Sequence, residues 1–529
     1  MAGLVTKKLR HAVSDALVES FSEAAPSRYF VYVGRVNAYT EASPPTPTDT
    51  IQNITYDAYR DMIAMKRVQT SDVSYVVPRY NWTNNTVYMQ YSDIRTNLFP
   101  TSSSPTSNTT FYVITEDNNV YKIIDNNRGR VSTVKPTGTG TSITTTSDGY
   151  RWKFLYTVSS ADAAKFLTSG YIPVKILSAN NGSAQWTVQQ AAANGAINHI
   201  AVGANGSGYL ITANSFATVT NSSVFILNTN ASQADDIYNK STIYLSSGLG
   251  SGQLRRVTNY VGSTRTLTVN NAFTVTPNTS SRYIVAPNVI IRGDSGATTS
   301  SRATAYVSNT VGGTIRKVTM ISLGLHYSTA NISFSANGTW GSGATANVVI
   351  DPLGGHGSSP VTELGASSIM LNVRLSGSES NTFPTNNDFR IIGLIMDPVL
   401  RGGPVANASV IDTCTRLTVT GLNGDLTADE IITGGTSGAK ARLVRFANTN
   451  AARTAGIVRV IRVTTNGTGG TFVVGETITG GTSGKTAAIS VFTKPAIREN
   501  TGKILFTENR VAITRATDQT EDIKLVIKF

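Results

Sequence analysis

The chain ends in ENRVAITRATDQTEDIKLVIKF, residues 508–529, and this stretch decides the fold class. Apolar and polar residues alternate on both sides of a polar, acidic centre, which is the period-two pattern of strands. The alternating apolar positions are Val511, Ile513, Ile523, Leu525, Ile527 and Phe529. Because loose chain ends seldom carry such patterning, the stretch predicts two strands held in a sheet. The acidic run at residues 518–522 lacks the ligand spacing of a calcium loop and is predicted to be a solvated turn.

The composition favours the same fold class. Of the 529 residues only 15% are charged, and Ser, Thr, Asn and Gly fill the deficit. Such a composition suits many short strands joined by tight turns. The 40% of hydrophobic residues are enough to build real cores, and a chain of this length accommodates about three or four domains.

Charge and cysteine content exclude several classes of protein. The net charge is +13, but the positive residues are spread thinly, with no run longer than two. We therefore expect no nucleic-acid partner and favour contact with acidic neighbouring subunits. Cys414 is the only cysteine, so neither an intrachain disulfide nor a Cys-rich zinc site is expected. The sequence contains no signal-peptide pattern and no apolar stretch long enough to span a bilayer, which predicts no membrane partner and assembly in a cytoplasm.

Two N-terminal features are candidates for subunit contact. Residues 1–25 are predicted to form a helix, because apolar residues recur at every fourth position and give it an apolar stripe. A proline-rich turn follows at residues 44–47, and a second helix is predicted over residues 56–66. The candidate contact residues are Leu9, Val13, Leu17 and Phe21 on the helix, and Pro44, Pro45 and Pro47 in the turn. Packing of both features within their own domain is an equally valid interpretation of the pattern.

The middle of the chain contains internal repeats. EIITGGTSG at residues 430–438 recurs as ETITGGTSG at residues 476–484. Each copy is too small to be stable alone, so the two are predicted to pack on each other. A fainter pair is INHIAVGANGSGY at residues 197–209 and IRKVTMISLGLHY at residues 315–327.

No stretch of the sequence predicts catalysis. None of the four histidines pairs with another at metal-ligand spacing. GLGSG at residues 248–252 lacks the Gly-Lys-Ser/Thr of a phosphate loop and predicts a hairpin turn. The adhesion-like tripeptide RGD at residues 292–294 is short enough to occur by chance. Acidic residues are too sparse to favour a glycan hydrolase. We therefore predict no enzyme activity, no cofactor and no metal.

Six motifs occur in the same order as in one known family. The chain resembles the baseplate wedge subunit, gene product eight, of T-even-type contractile-tailed bacteriophages. The motifs are FVYVGR (30–35), PPTPTD (44–49), VVPRYNW (76–82), DGYRWKFLY (148–156), FRIIGLIMDPV (389–399) and the C-terminal block that opens this section.

The resemblance also implies a domain organisation. It covers residues 1–177, 367–403 and 496–529, which would form one layered antiparallel β-sandwich with helices carried on loops. The two chain ends would then meet in a single core. Residues 178–366 and 404–495 depart from the family pattern and are predicted to be inserted β-rich modules, the second of them formed by the tandem repeats.

The function implied by the resemblance is structural. The family forms homodimers that contact other wedge proteins and rearrange when the tail contracts. The expected location is therefore the tail baseplate of the virion, assembled in the cytoplasm of a host bacterium. A second hypothesis is that the inserted modules make the protein a tail adhesin that binds glycans or a host-surface protein. A third is that they only decorate the baseplate periphery.

Overall fold

A computed structural model describes most of the chain. The described residues are 5–23, 26–35, 39, 43–50, 54–95, 98–99, 110–294, 302–335, 341–385, 387–464 and 471–529. Strands hold 44% of the residues and helices 9%, so the predicted mainly-β fold class is confirmed. None of the described helices is long and apolar enough to cross a membrane.

The chain forms two compact units. The first contains residues 1–76, 164–167 and 367–529, and the second contains residues 77–163 and 168–366. The segment 1–177, predicted as one body, is thus divided at residue 76. The two chain ends lie in the same unit, together with residues 404–495.

Helices are few and short in the part of the chain that the structure describes. The α-helices are α1 (Lys7–Glu19), α2 (Ile54–Asp61), α3 (Ser160–Phe166), α4 (Ala184–Gln190) and α5 (Pro360–Glu363), and a 3₁₀ turn spans Thr70–Asp72.

The first unit contains a β-sandwich. One antiparallel sheet has, in spatial order, β24 (Val410–Asp412), β2 (Met62–Arg67), β1 (Tyr29–Gly34), β23 (Asp388–Met396) and β31 (Lys503–Thr514). The facing sheet has β32 (Thr520–Lys528), β22 (Ser368–Ser376) and β3 (Val73–Pro78). Apolar side chains from both sheets, such as Val31, Leu394, Leu371 and Leu525, share one core between the layers.

Three distant segments meet in the first sheet. β1 pairs with β23 and β23 pairs with β31, so strands from the N-terminal, middle and C-terminal parts of the chain are neighbours. Gly393 stands opposite Tyr32 in this pairing, and a Cβ there would overlap the tyrosine ring. The close approach explains a glycine in the middle of a buried strand.

One predicted helix was too long. The sequence predicted a helix over residues 56–66, but α2 ends at Asp61 and the chain continues at once as β2. Residues 62–65 are fully buried between β1 and β24. A short apolar run fits either a buried helix or a buried strand, and here tertiary pairing decides for the strand.

The tandem repeats form a six-stranded closed barrel in the first unit. Its strands, in spatial order, are β25 (Thr415–Thr420), β28 (Gly456–Thr464), β27 (Lys440–Asn448), β26 (Ile431–Gly434), β29 (Thr477–Gly480) and β30 (Thr486–Thr493). β26 of the first copy pairs with β29 of the second, as Thr433 opposite Thr479 illustrates. The copies therefore pack on each other, as predicted.

The second unit contains four sheets. A four-stranded sheet has β4 (Tyr112–Ile114), β5 (Asn119–Asp125), β7 (Arg151–Thr157) and β6 (Thr144–Thr145). A seven-stranded sheet has β10 (Thr212–Ser215), β16 (Arg282–Ala286), β13 (Thr242–Ser247), β14 (Leu254–Val261), β15 (Thr266–Val269), β12 (Val224–Ile226) and β11 (Thr218–Val219). A second four-stranded sheet has β19 (Thr314–Ser322), β18 (Thr304–Val311), β17 (Asn288–Gly293) and β20 (Ala330–Ser335). β21 (Ser342–Ile350) pairs with β9 (Ile197–Ser207), and β8 (Tyr171–Val174) is the remaining strand.

The fainter repeats occupy equivalent places in one core. Tyr209 and Tyr327, which end the two copies, are both buried in it. The hydroxyl of Tyr209 accepts a hydrogen bond from the Ala344 N–H at 3.3 Å, and that of Tyr327 accepts one from the Ala303 N–H at 3.0 Å. Each repeat thus ends on a tyrosine that accepts a hydrogen bond from the backbone of another segment, which is β21 for Tyr209 and the residue before β18 for Tyr327.

Candidate interaction surface and buried charge clusters

The predicted contact residues on α1 point in different directions. Phe21, just past the helix, is 7% exposed and stacks on Tyr29 with ring centroids 4.3 Å apart. Leu17 is partly buried against the same core. Leu9 and Val13 are 54% and 43% exposed. The first half of the stripe is therefore available to a partner, whereas the second half packs internally.

Helix geometry explains this division. An α-helix turns about 100° per residue, so positions four apart differ by about 40° in direction. A strict four-residue repeat therefore winds around the helix instead of following one face. The exposure of the apolar positions changes accordingly along the repeat. Val5, four residues before Leu9, is 59% exposed, whereas Phe21 at the other end is buried.

Polar contacts fix α1 to the first unit. The hydroxyl of Thr6 caps the helix by accepting a hydrogen bond from the Leu9 N–H at 3.3 Å. Farther along, the Tyr75 hydroxyl donates to Asp15 Oδ1 at 2.7 Å. Burial and the Asp15 carboxylate both raise the pKa of Tyr75. The exposed residues thus stand on a helix that is anchored at its other end.

The start of α1 is strongly basic. Lys7, Lys8 and Arg10 lie in its first turn or just beyond, and no acidic residue is present in that turn. The N-terminus of a helix carries a partial positive charge, so cations there are unfavourable. Partial burial and the nearby Arg10 lower the pKa of Lys7. An acidic partner surface would relieve this crowding of positive charge.

The proline-rich turn lies beside β31, the edge strand of the first sheet of the β-sandwich. Pro45 is exposed, while Pro44 and Pro47 are half-buried. The Pro45 carbonyl accepts a hydrogen bond from Asn509 Nδ2 of β31 at 2.9 Å. Subunit contact by the turn and by the exposed half of α1 stays a prediction.

A buried ion-pair cluster surrounds Arg35, the last residue of the FVYVGR motif. Its guanidinium contacts the carboxylates of Asp388 and Asp429. Arg442 Nη1 also lies 2.9 Å from Asp429 Oδ1. Burial opposes ionisation of Asp429, but hydrogen bonds from Arg35 and Arg442 outweigh it and lower its pKa. The motif arginine therefore ties β1 to β23 and to the barrel.

A second cluster surrounds Asp61 at the end of α2. Its side chain is 1% exposed and pairs with Arg60 and with Arg462 of β28. Arg462 has a φ of 52°, a strained value for a residue inside a strand. A cleft of about 170 Å³ lies here, lined by residues that include Arg60, Arg462 and Tyr56. Both guanidinium groups are engaged by Asp61, so the cleft presents no free charged group from this pair.

The second unit contains a fully buried charged cluster. Lys122, in β5, has Nζ 3.0 Å from Glu363 Oε2, and the two side chains are 0% and 1% exposed. The same Nζ lies 2.9 Å from Nδ1 of His356 and 3.8 Å from the centre of the Tyr91 ring. Nε2 of His356 lies 3.2 Å from Asp351 Oδ1. An ammonium can only donate, so Nδ1 accepts from it and Nε2–H faces Asp351.

The geometry of α5 orients the acid of this cluster. The backbone N–H groups of Gly357 and Ser359 point at Glu363 Oε1, at 2.6 Å and 3.4 Å. Burial opposes ionisation of Glu363, but Lys122 and His356 outweigh it and lower its pKa to about 2. Burial lowers the pKa of Lys122 as well. The cluster thus combines an amine, an imidazole and a carboxyl group in contact.

Other motif residues have structural roles. Asp148, in the DGY motif, accepts hydrogen bonds from the N–H groups of Thr133, Val134 and Tyr150 at 2.8, 3.0 and 3.1 Å. Burial opposes ionisation of Asp148, but a hydrogen bond from the Thr146 hydroxyl and these backbone bonds outweigh it and lower its pKa. The aspartate therefore closes the loop that leads into β7.

Of the two ligand-like sequences, GLGSG is a turn, whereas Arg292 and Gly293 of the RGD tripeptide end the strand β17. GLGSG connects the paired strands β13 and β14, as the hairpin prediction required. Asp294 of the RGD tripeptide accepts hydrogen bonds from the N–H groups of Ser328 and Thr329 at 3.0 and 2.9 Å. Hydrogen bonds from Ser328 and Thr329 lower the pKa of Asp294 to about 2. An open cleft of about 720 Å³ borders the GLGSG loop.

Sequence reasoning missed the clusters around Arg35, Asp61 and Lys122. Their partners are up to 401 residues apart, and no local spacing marks them. Within the described part of the chain, no group of three or more His, Cys, Asp or Glu side chains is placed to hold a metal ion. The chain matches no known protein-family model and no curated protein sequence.

Proposed function

We propose that this protein is a structural subunit of the baseplate wedge of a contractile phage tail. In this role it forms a homodimer and holds neighbouring wedge proteins together. The observation that carries the proposal is the meeting of β1, β23 and β31 in one sheet. Each of these strands contains one of the motifs shared with the wedge subunits, so three separate resemblances support one core.

The chemistry of the motif residues supports a structural role. Arg35 forms buried ion pairs, Asp148 closes a loop, and Gly393 allows close packing against a neighbouring strand. These roles conserve a shape and place no reactive group on a surface. A scaffold subunit requires such interactions, since its task is to present fixed surfaces to its neighbours.

The exposed half of α1 is the candidate contact with a neighbouring wedge subunit. It combines apolar Leu9 and Val13 with the basic residues Lys7, Lys8 and Arg10. A partner with an apolar patch and an acidic rim would bury the two apolar side chains and neutralise the three basic ones. The net charge of +13 agrees with an acidic partner.

An electron-microscopy map of the intact tail tests the proposal. Density for this chain at the wedge, in dimers, is the expected result, and trimers at a fibre tip would contradict it. Leu9→Asp should reduce incorporation into particles at least tenfold, because it places an anion against the acidic neighbour. Val311→Asp is the matched control, since Val311 is 57% exposed in the second unit, and it should leave incorporation unchanged.

A second candidate function is adhesion by the seven-stranded sheet. Its GLGSG hairpin borders the open cleft of about 720 Å³, which Arg255, Gln253 and Thr274 help to line. An open cleft with both polar and apolar lining suits glycans, which present hydroxyl groups and apolar ring faces. Particles that assemble without this sheet but fail to adsorb to the host would favour this function.

A further inference from the structure

Lys122 and Glu363 place an amine in contact with a carboxyl group inside the second unit. Nζ and Oε2 are 3.0 Å apart in an interior where neither side chain is more than 1% exposed. Two buried ions each lose their hydration, and a good Coulombic contact only partly offsets that loss. An amide between the same atoms carries no net charge. Condensation would therefore remove the cost of burying both ions.

We propose that Lys122 and Glu363 form an intramolecular isopeptide bond. A proton first passes from the ammonium to Oε2, which leaves a neutral amine and a neutral carboxyl group in contact. Nζ then attacks the Glu363 carboxyl carbon, a C–N bond forms, and the bond from that carbon to Oε2 breaks. Two protons of the original ammonium leave with Oε2 as water, and the third remains on the amide nitrogen. The ammonium and carboxylate supply every atom and charge, so no outside reactant is needed.

His356 is placed to move these protons. Its Nδ1 lies 2.9 Å from Nζ, where it takes a proton from the attacking amine. The same nitrogen lies 3.7 Å from Oε2, the oxygen that leaves. One imidazole therefore serves as general base and then as general acid, as proton transfer at both atoms requires.

The backbone around α5 stabilises the intermediate. Attack on the carboxyl carbon moves negative charge onto Oε1. That oxygen already faces the N–H groups of Gly357 and Ser359 at 2.6 Å and 3.4 Å. Fixed donors aimed at a developing oxyanion are the largest single contribution in many acyl transfers.

The surroundings favour formation of the bond and protect it once formed. The fold holds amine and carboxyl in contact, which replaces a bimolecular encounter by an intramolecular one. The Tyr91 ring covers Nζ at 3.8 Å. Because burial keeps water away from the carbonyl carbon, the reverse reaction, hydrolysis, is suppressed.

The bond would close a covalent loop across the second unit. Lys122 lies in β5 and Glu363 in α5, 241 residues apart. The seven-stranded sheet and the repeat strands lie between them in sequence. A pulling force on these modules would then be carried by a covalent bond, so that β5 and α5 stay joined. The proposal does not depend on the function proposed above.

The intact mass of the full chain, measured under denaturing conditions, tests the proposal directly. The expected mass is below that of the unmodified 529-residue chain by one water molecule. Proteolysis should release a branched peptide that joins the segments around Lys122 and Glu363. A chain of full mass, or a water loss that maps to other residues, would overturn the proposal.

Three variants separate the linkage from general effects on folding. Lys122→Arg keeps the positive charge but removes the amine and should restore the full mass. Lys153→Arg is the matched control, because Lys153 is the buried partner of Lys122 in strand register and contacts the Thr141 carbonyl. It should keep the water loss. His356→Gln should slow linkage after refolding on the order of 100-fold, and unchanged kinetics would remove His356 from the reaction.

Discussion

At the residue scale, the strongest test of the first unit is Arg515. Its side chain is 2% exposed, its Nε lies 2.6 Å from Glu521 Oε2, and its guanidinium also donates to the carbonyls of Gly377 and Pro384. Arg515→Ala leaves a carboxylate and two carbonyls in the interior without this donor. We expect the free energy of unfolding to fall by about 3–5 kcal/mol, measured by guanidinium denaturation of the full chain.

The control for this prediction is Arg510→Ala in β31, the strand that ends one residue before Arg515. Arg510 is 46% exposed, and its Nε lies 3.6 Å from Glu508 Oε1. A surface ion pair contributes about 0–1 kcal/mol, so the control should unfold almost like the wild type. Equal effects of the two substitutions would mean that burial of Arg515 does not stabilise the unit.

The same residues show what the C-terminal sequence did and did not reveal. Its alternation predicted two strands, and β31 and β32 are present. The acidic run between them was predicted to be solvated, and this was wrong for Glu521, whose side chain is 10% exposed beside Arg515. The carbonyl partners of Arg515 are 131 and 138 residues away. Local alternation carries no information about which charge such distant groups will bury.

At the element scale, the two repeats of the barrel are held together by one carboxylate from each copy, which binds the turn of the other copy. Glu430 of the first repeat accepts hydrogen bonds from the Thr482 and Ser483 N–H groups of the second, at 3.0 and 2.9 Å. Glu476 does the same for Thr436 and Ser437, at 3.0 and 2.9 Å. Each glutamate therefore closes the Gly-Gly-Thr-Ser-Gly turn of the other copy.

Glu430→Ala and Glu476→Ala should destabilise the barrel by similar amounts. Each leaves at least two backbone donors of the opposite turn without their acceptor, so we expect a loss of about 2–4 kcal/mol. Hydrogen exchange of the turn amides in the opposite copy is the measurement. Faster exchange in the turn of the same copy, with the opposite turn unchanged, would contradict the exchanged arrangement.

The pH dependence of this effect has a definite sign. Burial opposes ionisation of Glu430 and Glu476, but the backbone donors outweigh it and lower both pKa values below the ordinary 4.5. A depressed pKa in the folded state gives stability that is present above pH 4.5 and is lost as the pH falls through the folded-state value. In the wild type, the protection of the amides of both turns against hydrogen exchange should therefore decrease together below pH 4.5. In the two variants this decrease should be smaller.

The repeats also mark the limit of prediction for elements. Their self-similarity predicted that the copies would pack together, because neither is stable alone. It did not reveal that each glutamate closes the turn of the other copy, since the sequence is the same for either arrangement. Likewise, the apolar run after α2 has no period that separates a buried strand from a helix. Pairing on both sides of β2 decides this case.

At the scale of the whole molecule, the two inserted regions differ in how they join their units. Among the residues that the structure describes, the core of the seven-stranded sheet draws on residues 216–285 alone, and only the end of β16, at Ile284 and Ala286, packs into the neighbouring core. The barrel also has a core of its own, but its region contributes to a second core as well. Cys414, Val444 and Ile461 belong to the core of the β-sandwich, and β24 is a strand of its first sheet. A change of composition marks both regions in the sequence but cannot show which of them shares a core with its neighbours.

Two deletions should therefore have opposite outcomes. The gap that each deletion leaves can be bridged by a short turn, because the flanking residues are already paired. Ala213 pairs with Ile284, and Leu400 pairs with Ile497. Replacement of residues 214–283 by an Asn–Gly turn should leave the rest of the chain folded, with an unchanged thermal midpoint for the first unit. Replacement of residues 404–495 by the same turn removes β24 and leaves Arg35 and Asp61 with fewer partners. It should prevent the first unit from folding, as judged by near-ultraviolet circular dichroism. If both variants melt like the wild type, the barrel is an independent passenger and the shared core does not stabilise the sandwich.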